Sequence, residues 1–160
     1  MIDPISVGLG EKVISQNMDD ILVAYGLGSC LGIGMFDPNA KISGLMHAVL
    51  PEKMNGADNP TKYVDSGIQD LLDLMIKAGA SKNRIIVKMA GGANMLTSPG
   101  FTKTFDIGTR NIQSAHRTLE RLNMHLHKED VGGNTGRTVR IYVITGRMTV
   151  KMIGGREVDL

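Results

Sequence analysis

Two side chains in this sequence have the chemistry for acyl transfer: Cys30, the lone cysteine, in "GLGSC", and His47, in "GLMHAV". The thiolate is the nucleophile, and an imidazole that takes the thiol proton can later return it to a leaving group. Each residue also has an inert reading. A cysteine in an apolar setting is commonly a small core residue, and a solitary histidine a satisfied polar one. The question is therefore whether the chain brings the two together.

The stretch "CLGIGMFDPNAKISGLMHAVL" answers it with a hairpin. Asp37-Pro38-Asn39-Ala40 has turn residues in the order a type I turn prefers, Asp first and Pro second. With Asp37 opposite Ala40, the register predicts Cys30 directly opposite His47, and such pairs share one face with Cβ atoms about 4.5–5.5 Å apart. Gly32 and Gly34 fall on that same face, which predicts a bare surface where a substrate chain could lie. Leu31, Ile33 and Met35 take the other face with Ile42 and Met46, as for a sheet packed on a core. A three-residue loop with a bulge would instead set Cys30 opposite Ala48 and spoil the pairing.

Around this hairpin the first third of the chain reads as short strands: "ISVG", "EKVIS" and "ILVAYGL" precede it. From Pro60 the period changes. Val64, Ile68, Leu71, Leu72 and Met75 mark one face of a helix that Gly79 ends, and "RIIVKMAGG" follows as a buried strand. A second helix is expected from about Asn111, with Ile112, Ala115, Leu119 and Leu122 inward. "TVRIYVITG" and "RMTVKMIGG" flank Thr145-Gly146 as a hairpin. Strands in clusters with two helices argue for an α+β fold, and no linker, repeat or low-complexity tract divides residues 1–160, which read as one domain.

Other motifs carry less. "GLGSCLG" begins like a dinucleotide-binding loop, but strand and not helix follows, and the third glycine is misplaced. His116, His125 and His127 lack the second cysteine or carboxylate cluster that a metal site needs, so no metal and no cofactor are expected. "AGGANM" and "GGNTGR" read as turns whose amides could bind a peptide backbone or carboxamide if they lie beside the hairpin.

Composition excludes whole classes of function. Eighteen basic against sixteen acidic residues leave a formal charge of +2, with no basic run to track a phosphate backbone, and three Tyr, three Phe and no Trp offer little for stacking on bases. Nucleic acid is not an expected partner. Eleven methionines read as core gap-fillers. One cysteine cannot form an internal disulfide, no apolar run is long enough to cross a bilayer, and "MIDPISVGLGEK" lacks the basic start and apolar stretch of a signal peptide. A reducing cytoplasm is the expected location, without membrane insertion.

Taken together, "GLGSCLGIGMFDPNAKISGLMHAVLP", "NPTKYVDSGI", "KMAGGANM", "IGTRN" and "EDVGGNTGR" resemble the CheD family of chemoreceptor glutamine deamidases, in that family's order and over nearly the whole chain. The resemblance implies an α+β cysteine hydrolase similar to the cytotoxic necrotizing factor toxins, with a β-sandwich core of mixed and antiparallel strands flanked by helices. It matches the nucleophile to Cys30 and the base to His47. It implies oxyanion donors at Cys30 and its Gly28-Ser29 neighbours. The family's third residue is usually a threonine in the strand before the cysteine, and here that position is Ala24. The orienting role then passes to a backbone carbonyl, to Thr61 or Ser29, or to nothing. The implied partners are the cytoplasmic region of a chemoreceptor and a CheC-type phosphatase. The competing reading is a largely non-catalytic regulator of that phosphatase. A His-paired thiol is further expected to react well below the pH of a free one.

Overall fold

The computed structural model describes residues 3–56, 58–95 and 106–160. In chain order its elements are β1 (Ile5–Ser6), β2 (Lys12–Ser15), β3 (Ile21–Leu27), β4 (Leu31–Asp37), β5 (Ile42–Ala48), α1 (Val64–Lys77), β6 (Ile86–Gly91), α2 (Ile107–Arg121), β7 (Leu126–Val131), β8 (Arg137–Tyr142), β9 (Arg147–Met152) and β10 (Val158–Asp159). The strands form two five-stranded sheets, ordered β1-β3-β8-β9-β10 and β2-β5-β4-β6-β7. Pairing is antiparallel except for β1 with β3 and β6 with β7. This is the expected α+β arrangement of mixed strands with flanking helices.

Period-two patterning splits β4 and β5 between two apolar layers. Leu31, Ile33, Met35, Ile42 and Met46 meet the apolar faces of α1 and α2, including Ile68, Leu71, Met75, Ala115 and Leu119. Leu45, on the other face of β5, packs between the sheets with Leu22, Ala24, Leu27, Val139, Ile141 and Met148. The thinness of that second layer explains the glycines. A Cβ on Gly32 would stand 3.0 Å from Leu27 and Val139 side-chain atoms, and one on Gly34 would stand 2.6 Å from Ile141 Cδ1. The surface expected to be bare for a substrate is thus filled by the opposing sheet, and the glycines serve close packing of the sheets.

The hairpin differs from its expected register. Asp37 pairs with Ile42, Gly32 with His47 and Leu31 with Ala48, so a four-residue loop, Pro38 to Lys41, replaces the two-residue turn. The Asp37 carboxylate is the cause. One oxygen accepts the Asn39 and Ala40 amides at 2.9 and 3.1 Å, the other accepts the Ser81 amide at 2.8 Å, and Arg84 pairs with the group. Burial would push this carboxyl up, but the guanidinium and the three amides together hold it well below the usual carboxylate range. The shift is by two residues, so facing is preserved while partners change.

α1 ends at Lys77 as the pattern requires, whereas α2 starts at Ile107, a turn earlier than expected. Gly108, which argues against helix by propensity, is used for contact: a Cβ there would collide with the carbonyls of Gly92 and Ala93. The hairpin at Thr145-Gly146 forms with Tyr142 paired to Arg147.

Candidate active site

Gly28, Ser29 and Cys30 link β3 in one sheet to β4 in the other. All three of their carbonyls are tied down. Gly28 O accepts from the Ala93 amide at 2.9 Å, Ser29 O from Asn111 Nδ2 at 2.8 Å, and Cys30 O from the Gly92 amide at 2.9 Å. Gly91, at φ 117°, lies against the Cys30 carbonyl with no room for a Cβ, so the backbone approach there requires glycine. The opposite edges of these peptide planes are different. Among the described residues no carbonyl accepts the amide hydrogens of Ser29 or Cys30, which leaves donors beside a half-buried thiol.

His47 comes from the neighbouring strand. It stands opposite Gly32, and Cys30 precedes that glycine by two residues and packs on the inter-sheet layer. Thiol and imidazole therefore both lie on the inter-sheet side, with Cys30 just before β4 and outside the paired ladder. The ring is 3 % exposed. Its Nδ1 lies 3.0 Å from the carbonyl oxygen of Val7; an oxygen of that kind only accepts, so Nδ1 carries the hydrogen and Nε2 of the neutral ring keeps its lone pair. Nε2 is buried and, among the described residues, has no hydrogen-bond partner, the Cys30 sulfur included. Val7 is itself fixed by its amide on Val23 O at 2.7 Å.

Burial lowers the pKa of His47, with the Val7 bond and the nearby Glu11 charge pushing the other way. Burial likewise raises that of Cys30, partly offset by the residue's own amide. Both directions favour a neutral thiol beside a neutral imidazole in the free protein. This direction runs against the expectation of a thiol reactive at unusually low pH: desolvation, which the sequence does not display, raises the Cys30 pKa, and His47 contributes nothing to its shift.

The remaining candidates separate. Gly28 and Ser29 lie in the thiol loop. Thr61, offered as an orienting residue, sits on the helix-covered side of the second sheet, where its Oγ1 is 3.3 Å from Lys12 Nζ; Lys12 pairs with Met46 and so shares the face opposite to His47. Ala24 is fully buried between the sheets. The His47 ring is hydrogen-bonded to a backbone carbonyl, that of Val7.

The two glycine turns do lie beside the loop. Asn94 N–H donates to Gly133 O at 2.9 Å and Gly132 N–H to Gly91 O at 3.0 Å. The buried Arg137 guanidinium donates to Gly91 O, Gly132 O and Asp130. They brace the thiol loop from behind. His116 is spent on Glu129 at 3.0 Å, and among the described residues no three His, Cys, Asp or Glu cluster as metal ligands. No helix among them is long and apolar enough to cross a membrane.

Sequence reasoning missed Val7 and Asn111. A main-chain acceptor leaves no residue-type signal. Asn111 did leave one: a poor helix former inside a helix usually has a polar task.

A family model described as CheD chemotactic sensory transduction matches residues 49–152. The chain is 40% identical over 158 residues to the probable chemoreceptor glutamine deamidase CheD of Symbiobacterium thermophilum, covering 97% of this chain and 96% of that one. It is 41% identical over 162 residues to the protein of the same name from Pyrococcus abyssi, covering 99% and 98%. It is 36% identical over 151 residues to the chemoreceptor glutamine deamidase CheD of Thermotoga maritima, covering 94% and 93%.

Proposed function

The chain belongs to the CheD family, and from that premise we propose that it is a chemoreceptor glutamine deamidase in which Cys30 is the nucleophile and His47 the general base. The observation that supports these roles is the unpartnered Nε2 of a buried, neutral His47 on the face shared with Cys30. A buried nitrogen acceptor without a partner costs about 1–3 kcal/mol. Proton exchange with the thiol during the reaction accounts for that cost.

In this mechanism Nε2 takes the thiol proton as sulfur attacks the carboxamide carbon of a glutamine side chain. The C=O π bond opens and its electron pair moves to oxygen, which the amides of Ser29 and Cys30 receive. Collapse breaks the C–N bond, and the imidazolium gives its proton to the departing nitrogen, which leaves as ammonia. Water, deprotonated by the same Nε2, then attacks the thioester; the C–S bond breaks and the sulfur recovers its proton. The net change is amide plus water to carboxylic acid plus ammonia. A neutral receptor side chain thereby becomes an anion, which can alter signalling through local electrostatics.

The reading carries a cytoplasmic location and a single catalytic domain over residues 1–160. It also carries a CheC-type phosphatase as partner, on the family resemblance alone. The test is incubation with a chemoreceptor cytoplasmic fragment, with glutamine-to-glutamate conversion followed by peptide mass. Conversion by the native protein, absent in Cys30→Ala and His47→Ala, is the expected result. Conversion that survives Cys30→Ala would overturn the nucleophile, and no conversion by the native protein would leave only the binding role.

A further inference from the structure

Helix α2 holds the two halves of the site together through one side chain. Asn111 is fully buried, and its amide nitrogen donates two hydrogen bonds, to Ser29 O at 2.8 Å and to Val49 O at 3.0 Å. The first carbonyl belongs to the thiol loop and the second lies just beyond His47 on the continuation of β5. Three residues along the helix, Ser114 Oγ donates to Pro51 O at 2.6 Å, so one face of α2 grips both segments. The asparagine oxygen, by contrast, is buried and, among the described residues, bonded to nothing. An apolar residue would avoid that uncompensated burial but would leave the Ser29 and Val49 carbonyls without this donor.

We propose that Asn111 is a positioning residue that fixes the Ser29–Cys30 peptide plane, and with it the direction of the Cys30 amide, relative to the strand carrying His47. The geometry follows from planarity. The peptide bond is trans, so its carbonyl and its N–H point in opposite directions. Anchoring Ser29 O on the helix therefore aims the Cys30 N–H away from α2, toward the side that faces an incoming oxyanion. Val49 O on the second hydrogen of the same nitrogen ties that aim to the histidine strand. An aspartate of equal size has no hydrogen to donate and would set a negative oxygen against two carbonyls.

The inference rests on the Cys30–His47 reading, and its test separates the two. Asn111→Asp and Asn111→Ala are compared with the native protein, with Cys30→Ala and with Asp37→Asn, a buried change at the far end of β4 from the thiol. The expected result for both Asn111 variants is a fall in kcat on the order of 100-fold, as for a reacting group misplaced by about 1 Å, with KM nearly unchanged. The pH midpoint for alkylation of Cys30 by iodoacetamide should rise. Asp37→Asn should lower the melting temperature while leaving kcat and the alkylation midpoint in place. If Asn111→Asp does not fold, Asn111→Ala carries the measurement. Native kcat and midpoint in a folded Asn111 variant, with Cys30→Ala inactive, would overturn the positioning role and leave the nucleophile standing. Activity in Cys30→Ala would overturn both.

Discussion

The imidazole Nδ1 of His47 and the carbonyl oxygen of Val7 are 3.0 Å apart, and that contact places the ring hydrogen on Nδ1 and leaves Nε2 as the acceptor nitrogen. Val7 keeps its place through its amide on Val23. Val7→Pro deletes that amide hydrogen and moves the carbonyl. Its kcat should fall by on the order of 10- to 100-fold, with His47 still present and the protein still folded by circular dichroism. Native kcat in this variant would remove the carbonyl from the mechanism.

The pH dependence follows from two displaced titrations. Burial keeps the His47 ring neutral to below its ordinary 6.5 and the Cys30 thiol protonated to above its ordinary 9.0. The kcat/KM profile should be a broad bell with its limbs outside those two values. Stability has matching slopes. Below 6.5 the unfolded chain binds a proton on this histidine that the folded one refuses, so stability falls with falling pH. Above 9.0 the unfolded chain releases a thiol proton that the folded one retains, so stability falls with rising pH. Melting temperatures of His47→Gln and Cys30→Ala should lack the acid and alkaline slope respectively.

Two glycines in contact with different neighbours should fail differently. At Gly91 a methyl group would strike the Cys30 carbonyl, from a backbone at φ 117°, so Gly91→Ala should displace the nucleophile and cut kcat by about 100-fold. At Gly34 the obstacle is the tip of Ile141, 2.6 Å away. Gly34→Ala should cost about 1–3 kcal/mol of stability by overpacking, with kcat per folded molecule preserved. Urea titration beside the deamidation assay distinguishes the two.

Ala24 invites the reverse substitution. It is fully buried in the inter-sheet layer, and the His47 Nδ1 is already bonded elsewhere. Ala24→Thr should lower stability by about 1–3 kcal/mol through a buried hydroxyl and leave kcat unchanged. A large rise in kcat would show that the carbonyl is a weak substitute for a side chain.

Much of this could be read from residue types and spacing. The period of two in β4 and β5 separated their faces correctly, and the Val64 to Met75 spacing placed α1. What escaped depended on groups distant in the chain. Asp37 lengthened its own loop only because Ser81 and Arg84 complete its shell. Gly32 and Gly34 announced missing side chains, but not that Val139 and Ile141 fill the room. His47 kept its expected face through a wrong register because the error was even, although Gly32 and not Cys30 stands opposite it, and an error of one residue would have turned the ring to the helices.

The Val7 acceptor also bears on inheritance. An oxygen supplied by the main chain is encoded by strand order and not by any codon, so a point change at that position leaves it in place unless it shifts the backbone. With that carbonyl as the proposed orienting group, an alanine at position 24 is compatible with an active enzyme.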